Sequence, residues 1–165
     1  MAIFGIKKIF VTAVTDVSST DLEGLGTIRF EGNKVYKWVK LQNTTATVAA
    51  VAGDVCSYGV DAGYTNNLVV TDVSDAASAT VPVCAGMILA TVAGVLLTAY
   101  YLWIQIKGPA VVNQTIGGTP VDGDMLTAST TDKTLAKLVY VTANPAVAAV
   151  GLDVSAKIVA LDCLY

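Results

Sequence analysis

Histidine is absent from this 165-residue chain. That absence removes the Ser-His-Asp and Cys-His constellations of nucleophilic catalysis, together with the commonest zinc and iron ligands. Charge is also scarce: 14% of residues are charged against 54% hydrophobic, and the net charge is −3 with a pI near 4.7. Nucleic-acid binding draws on counterion release by clustered Lys and Arg, so no nucleic-acid partner is expected. The one local excess, Lys34, Lys37 and Lys40, alternates with apolar residues along a predicted strand. It reads as a solvated strand face or edge that discourages aggregation, not as a phosphate-binding strip.

Cysteine is limited to Cys56, Cys84 and Cys163, far apart and without a C-x-x-C pair. An odd count with no accompanying ligand set predicts reduced, buried thiols that are unpaired within the chain and bind no metal, and synthesis in a cytosol. A secretory leader is not expected either. MAIFGIKKIFVTAV offers only a short apolar start before Lys7 and Lys8, and Thr12, Thr15 and Asp16 break the run that follows. Asn43-Thr44-Thr45 and Asn113-Gln114-Thr115 fit the glycosylation pattern but carry no weight without a secretory route. Nucleotide motifs are missing, since Gly24-Leu25-Gly26 has neither a third glycine nor a following helix and no G-x-x-x-x-G-K occurs. Asp122-Gly123-Asp124 could open a calcium loop, but Ser129, Thr130, Thr131 and Asp132 do not supply the later ligands, and a solvated turn is the plainer reading. The sequence therefore nominates no catalytic, cofactor-binding or metal residue, and the chain reads as a non-enzyme without a cofactor.

What the chain has in quantity is Ala, Val and Thr, in short β-branched blocks separated by Gly, Asp, Asn or Pro. That pattern predicts an all-β protein, a small β-barrel or sandwich. The length suits an N-terminal strand or arm over residues 1–19 and one β-domain over 20–165, with a protruding hairpin at 27–41. Strands are expected at Ile6–Thr15, Val55–Tyr58, Leu68–Thr71, Val81–Val92, Ala110–Val112, Leu135–Thr142, Val147–Leu152 and Ile158–Leu164, with Val17–Gly26 a polar connection. Gly53-Asp54 and Gly123-Asp124 each precede an apolar strand and read as two similar turns, not as a duplicated domain.

One long run contradicts the scarcity of charge-free segments in ordinary domains. MILATVAGVLLTAYYLWIQI, Met87 to Ile106, is uncharged and long enough to cross a membrane as a helix. Yet only Lys107 flanks it, Gly86 and Gly94 punctuate it, and Leu102, Ile104 and Ile106 alternate with Trp103, Gln105 and Lys107. Period two belongs to a strand with one apolar and one amphipathic face, so buried strands are predicted and a small membrane protein with a span near 87–106 is kept as an alternative.

The clearest unit is the hairpin. Thr27–Glu31 and Lys34–Leu41 flank Gly32-Asn33, a two-residue turn. Pairing Glu31 with Lys34 sets Phe30 opposite Val35, Arg29 opposite Tyr36, Ile28 opposite Lys37 and Thr27 opposite Trp38. One face is then aromatic and basic together, with Arg29 placed for a cation–π contact over Tyr36. Such a face suits contact with another chain, as does the surface of so sparsely charged a protein. The predicted protein interface is Arg29, Tyr36 and Trp38 with the N-terminal Ile3, Phe4, Ile6 and Lys7, whose strand could add to a neighbour's sheet edge.

LGTIRFEGNKVYKWVKLQN, Leu25 to Asn43, resembles a stretch found in the capsid decoration, or head cement, proteins of tailed bacteriophages. Trp103-Ile104-Gln105-Ile106-Lys107-Gly108 resembles a second, followed here as there by a Gly-Asp turn, a threonine-rich strand and a closing strand. The likeness covers about Thr20 to Tyr165; the chain departs from it in Met87–Tyr101, and Met1–Val17 lies outside it. The resemblance implies a β-rich virion protein, made in the host cytoplasm, that binds the capsid exterior and staples neighbouring subunits of the major capsid protein as a homo-oligomer, with a trimer favoured. No membrane partner is implied. A carbohydrate-binding β-sandwich, with Tyr100 and Trp103 lining a sugar platform, is the second alternative.

Overall fold

The computed structural model describes residues 8–45, 47–60, 67–78, 82–93, 97–139 and 147–163. The β-branched and aromatic blocks fold as strands, because such side chains pack well on a half-buried pleated surface. In chain order these are β1 (Val17–Ser18), β2 (Ile28–Glu31), β3 (Lys34–Leu41), β4 (Val55–Tyr58), β5 (Leu68–Val70), β6 (Cys84–Ile88), β7 (Tyr100–Val111), β8 (Met125–Ala128), β9 (Leu135–Lys137), β10 (Ala149–Asp153) and β11 (Ile158–Asp162). The chain is all-β, and a 3-10 turn at Val73–Asp75 is the one helical element among the described residues.

Strands β3, β5, β4, β6 and β7 close into a five-strand barrel through the antiparallel pairing of β7 back onto β3. Strand β7 is the spine. One of its flanks takes β3 from Tyr100 to Lys107, and the other takes β1 at Tyr101 and Leu102, β6 at Ile104 and Gln105, and β11 from Lys107 to Val111. Beyond β11 the sheet continues outside the barrel into β10, β8 and β9. The period-two reading of β7 holds: Leu102, Ile104 and Ile106 join Val39, Leu41 and Ile88 in the barrel core, while Trp103 belongs to a separate cluster on the outer face. Each of these fully buried aliphatic side chains stabilises the fold by roughly 1.5–3 kcal/mol. No described helix is long and apolar enough to cross a membrane. The uncharged run instead ends β6 and begins β7, with residues 94–96 outside the described set.

One part of β7 was not legible as continuous strand. Lys107-Gly108-Pro109 reads as a break, yet the strand passes through it, because β3 pairs no further than Lys107 and Pro109 removes a donor only where that flank is no longer shared with β3. Gln105 Nε2 donates to the carbonyls of Lys107, Gly108 and Pro109 at 3.0–3.2 Å and so serves the acceptors freed at the kink. Gly108 has φ 94°, and a Cβ there would stand 2.3 Å from Asn33 O, so the hairpin turn rests against this glycine.

The hairpin itself has the predicted register, Glu31 to Lys34, Phe30 to Val35, Arg29 to Tyr36 and Ile28 to Lys37. Its second strand is a barrel stave, and its turn and Phe30 are the exposed part. Both Gly-Asp turns also form alike: Val51 N donates to Asp54 Oδ2 and Val121 N to Asp124 Oδ2, at 2.9 and 2.7 Å. Three readings need correction. The described part of Ile6–Thr15 is not a strand, and the first strand is the short β1 at Val17–Ser18, inside the segment read as a connection. The expected Val81–Val92 strand shortens to β6. The three lysines are not one solvated face, because a spacing of three in a period-two element puts Lys37 on the face opposite Lys34 and Lys40. Lys37 is buried, and Tyr58 Oη, at 3.3 Å, is its hydrogen-bond partner.

Candidate interaction surface

The outer face of the β3–β7 pair carries the second hydrophobic cluster. Trp38 and Trp103 stand directly opposite each other across the two strands, with ring centroids 5.3 Å apart in an edge-to-face arrangement. Tyr36 joins them, and Phe10 meets Trp103 edge-to-face at 5.5 Å. Both tryptophans have zero exposed surface. What covers them is the segment from Lys8 to Asp16, a strap whose side chains alternate: Phe10, Thr12 and Val14 turn inward, Ile9, Val11 and Ala13 outward.

Polar contacts hold this strap at Lys8, Val11 and Thr12. Trp103 Nε1 donates to Thr12 Oγ1 at 2.8 Å, and Trp38 Nε1 donates to Asp21 Oδ1 at 2.8 Å, so neither indole N–H is stranded by burial. Glu23 Oε1, itself buried, accepts from Val11 N, Thr12 N and Thr12 Oγ1 at 2.7–2.8 Å. Burial pushes the Glu23 carboxyl up, but these hydrogen bonds and the charge of Lys8 outweigh it and hold the group below its ordinary value. Lys8 Nζ reaches Glu23 O at 2.7 Å and Thr27 Oγ1 at 2.9 Å. Arg29 Nη1 donates to Thr12 O at 2.8 Å, and its guanidinium also pairs with Glu31.

The predicted interface residues therefore take different places. Ile3, Phe4, Ile6 and Lys7 lie outside the described residues. Arg29, Tyr36 and Trp38 do share one face, but that face is covered by the chain's own strap, and Tyr36 and Trp38 are core residues of the single chain. Arg29 does not stack on Tyr36; its guanidinium lies 4.9 Å from the Phe10 ring centroid and 5.8 Å from that of Trp103. Sequence reasoning missed Phe10, Thr12, Asp21 and Glu23. The alternation of Phe10, Thr12 and Val14 with Ile9, Val11 and Ala13 was a detectable signal, but a strand paired in a sheet gives the same one.

Exposed apolar side chains mark what remains available. Ile9 is 85% exposed, Val11 71% and Phe30 74%, with Leu22 and Leu25 also exposed in the loop that the strap grips. Lys8 and Arg29 fasten the strap over the face of the hairpin that carries Arg29 and Tyr36, whereas Phe30, opposite Val35, projects from the other face of β2. Elsewhere, a solvent-open depression of about 210 Å³ is lined by Ser57, Thr71, Ser129, Thr131, Lys133 and Thr134 among others, with no aromatic wall on which a sugar ring could stack. Trp103, nominated for such a platform, is buried under the strap. No group of three or more Cys, Asp or Glu side chains among the described residues is placed to hold a metal ion. The chain matches no protein-family model, no curated protein and no solved structure.

Proposed function

We propose that this chain is a structural virion protein that binds the outer surface of a tailed-bacteriophage capsid and staples neighbouring major capsid subunits, acting as a homo-oligomer. One observation carries the proposal: the strap presents Ile9 and Val11 outward, 85% and 71% exposed. Outward apolar residues add nothing to strap closure, and two apolar groups side by side on one exposed face are what a protein partner covers. The resemblance of Leu25–Asn43 and Trp103–Gly108 to capsid decoration proteins supplies the kind of partner. In this reading Tyr36 and Trp38 act from beneath, as the platform on which the contact segment lies, and do not touch the capsid.

Gradient-purified heads from the lysate in which the chain is made should contain it in fixed proportion to the major capsid protein. Heads stripped of it should take it up again from solution. A variant carrying Ile9→Ser and Val11→Ser should keep the wild-type melting temperature and bind stripped heads at least tenfold more weakly. A chain that never sediments with heads, or a folded double variant that binds them normally, refutes the proposal.

A further inference from the structure

All of the chain's cysteines, separated by 28 and 79 positions, meet at one place. Cys84 Sγ and Cys163 Sγ are 3.3 Å apart, and Cys56 Sγ and Cys84 Sγ both lie on Gly86 O, at 3.3 and 3.9 Å. All three are free and buried. Their position in the fold has a specific meaning. Strand β6 pairs with β7 at Ile104 and Gln105, then leaves it, and β11 takes over the same flank from Lys107; Cys163 N donates to Ile106 O in the gap between them. The Cys84–Cys163 contact thus bridges the seam where the closed barrel hands over to the outer strands β11, β10, β8 and β9.

We propose that Cys84 and Cys163 form a latent disulfide site that, once oxidised, staples the outer strands to the barrel, with Cys56 remaining a free thiol. The sulfurs need about an ångström of movement to reach bonding distance of about 2.05 Å. The pair is too close for a linear metal bridge, which would separate the sulfurs well beyond their present contact, and among the described residues it has no third ligand placed around a common centre. The reaction is exchange with a low-molecular-weight disulfide such as oxidised glutathione. One cysteine thiolate attacks it, releasing one glutathione thiol and leaving a mixed disulfide. The second cysteine, losing its proton to solvent, then displaces the other glutathione, so two protein thiols are oxidised as one small disulfide is reduced to two thiols. Within the folded chain the step is slow, because the hydrogen bond shared with Cys84 and burial hold the Cys163 thiol well above its ordinary range. The link is therefore acquired during folding or on opening of the β11 end, and is shielded afterwards. This site does not depend on the proposed capsid role.

The test refolds the full chain from denaturant in a mixture of oxidised and reduced glutathione, then alkylates it under denaturing conditions. The expected product carries one alkyl group, on Cys56, is about 2 Da lighter than the reduced chain once that group's mass is subtracted, and yields a cross-linked peptide pair containing Cys84 and Cys163. Its melting temperature should lie of the order of 10 °C above that of the reduced chain, since the link closes a long loop in the unfolded state. Cys56→Ala should give the same link and the same shift, and Cys163→Ala should give neither. Three alkylated cysteines, glutathione adducts as the main product, a bridge involving Cys56, or a link that leaves the melting temperature unchanged would each overturn the proposal.

Discussion

Glu23→Gln should detach the strap while leaving the barrel folded. In the wild type one carboxylate oxygen accepts three hydrogen bonds from Val11 and Thr12, all within a buried site. A hydrogen bond to a charged group contributes about 1.5–3 kcal/mol and one to a neutral group about 0.5–1.5 kcal/mol, so the amide gives up roughly 1 kcal/mol per bond and 2–3 kcal/mol in all. That shifts the open-to-closed ratio of the strap by about thirtyfold or more. The chain supplies its own reporter, because both of its tryptophans lie beneath the strap. Opening should move their emission to longer wavelength and make it quenchable by acrylamide, with the far-ultraviolet circular dichroism of the barrel unchanged. The pH dependence follows from the same carboxylate. Its folded-state pKa is held below the ordinary value of 4.5, so its contribution is complete above 4.5 and is lost as pH falls through the folded value. Wild-type emission should therefore shift in acid below pH 4.5, and Glu23→Gln should lack that step because its side chain cannot be protonated there. Identical emission and quenching for variant and wild type from neutral pH down to the acid range would mean that the strap is held by something other than Glu23.

Trp38→Ala should lower stability by about 3–5 kcal/mol in chemical denaturation, as large-to-small changes in a packed core do, while Lys40→Ala should stay within about 0.5 kcal/mol; a Trp38→Ala protein as stable as wild type would return this residue to the surface. Lys37→Met should be neutral or stabilising at pH 7, because the buried ammonium has a tyrosine hydroxyl and, among the described residues, no carboxylate as partner. Burial lowers the Lys37 pKa below 10.5, so the unfolded chain binds more protons and wild-type stability should rise as pH climbs toward 10.5; denaturation midpoints that are flat over that range, or a Lys37→Met protein that shows the same rise, would refute the assignment.

Local pattern carried most of the strand content, and long-range pairing carried what was missed. The hairpin register followed from Gly32-Asn33 and the faces of its two strands, because turn length and alternation together leave little freedom. The inward face of β7 followed from the alternation Leu102, Ile104, Ile106 for the same reason. Barrel closure did not, since it depends on β3 meeting β7 across the 58 residues of intervening chain, and nothing local to either strand states that partner. The convergence of Cys56, Cys84 and Cys163 is a consequence of that same topology. Three isolated thiols in the sequence become one cluster only after β4 has paired with β6, and β6 and the end of β11 have been brought beside β7.

The interface residues show where pattern reading reaches its limit. Arg29, Tyr36 and Trp38 form the aromatic, basic surface that the sequence predicts, and such a surface needs a partner. Sequence composition cannot say whether that partner is another chain or another stretch of the same one, because the physics is identical: aromatic area removed from water, an indole N–H given an acceptor, a guanidinium laid on a ring. Here the partner is the strap, with Thr12 and Asp21 supplying the acceptors and Phe10 the ring. The strap is itself two-faced, and its two faces have different requirements. Phe10, Thr12 and Val14 account for its closure, and serine or lysine at positions 9 and 11 would close it equally well while keeping the outer face wet. Ile9 and Val11 are therefore residues whose apolar character closure does not use. On the proposed reading, the site of contact lies one layer outward, on the strap that covers the tryptophans. Placing the contact there also makes it conditional on Glu23, so acid or Glu23→Gln should weaken attachment to a partner by the same factor that it opens the strap. Attachment that survives strap opening unchanged would put the contact on another part of the molecule.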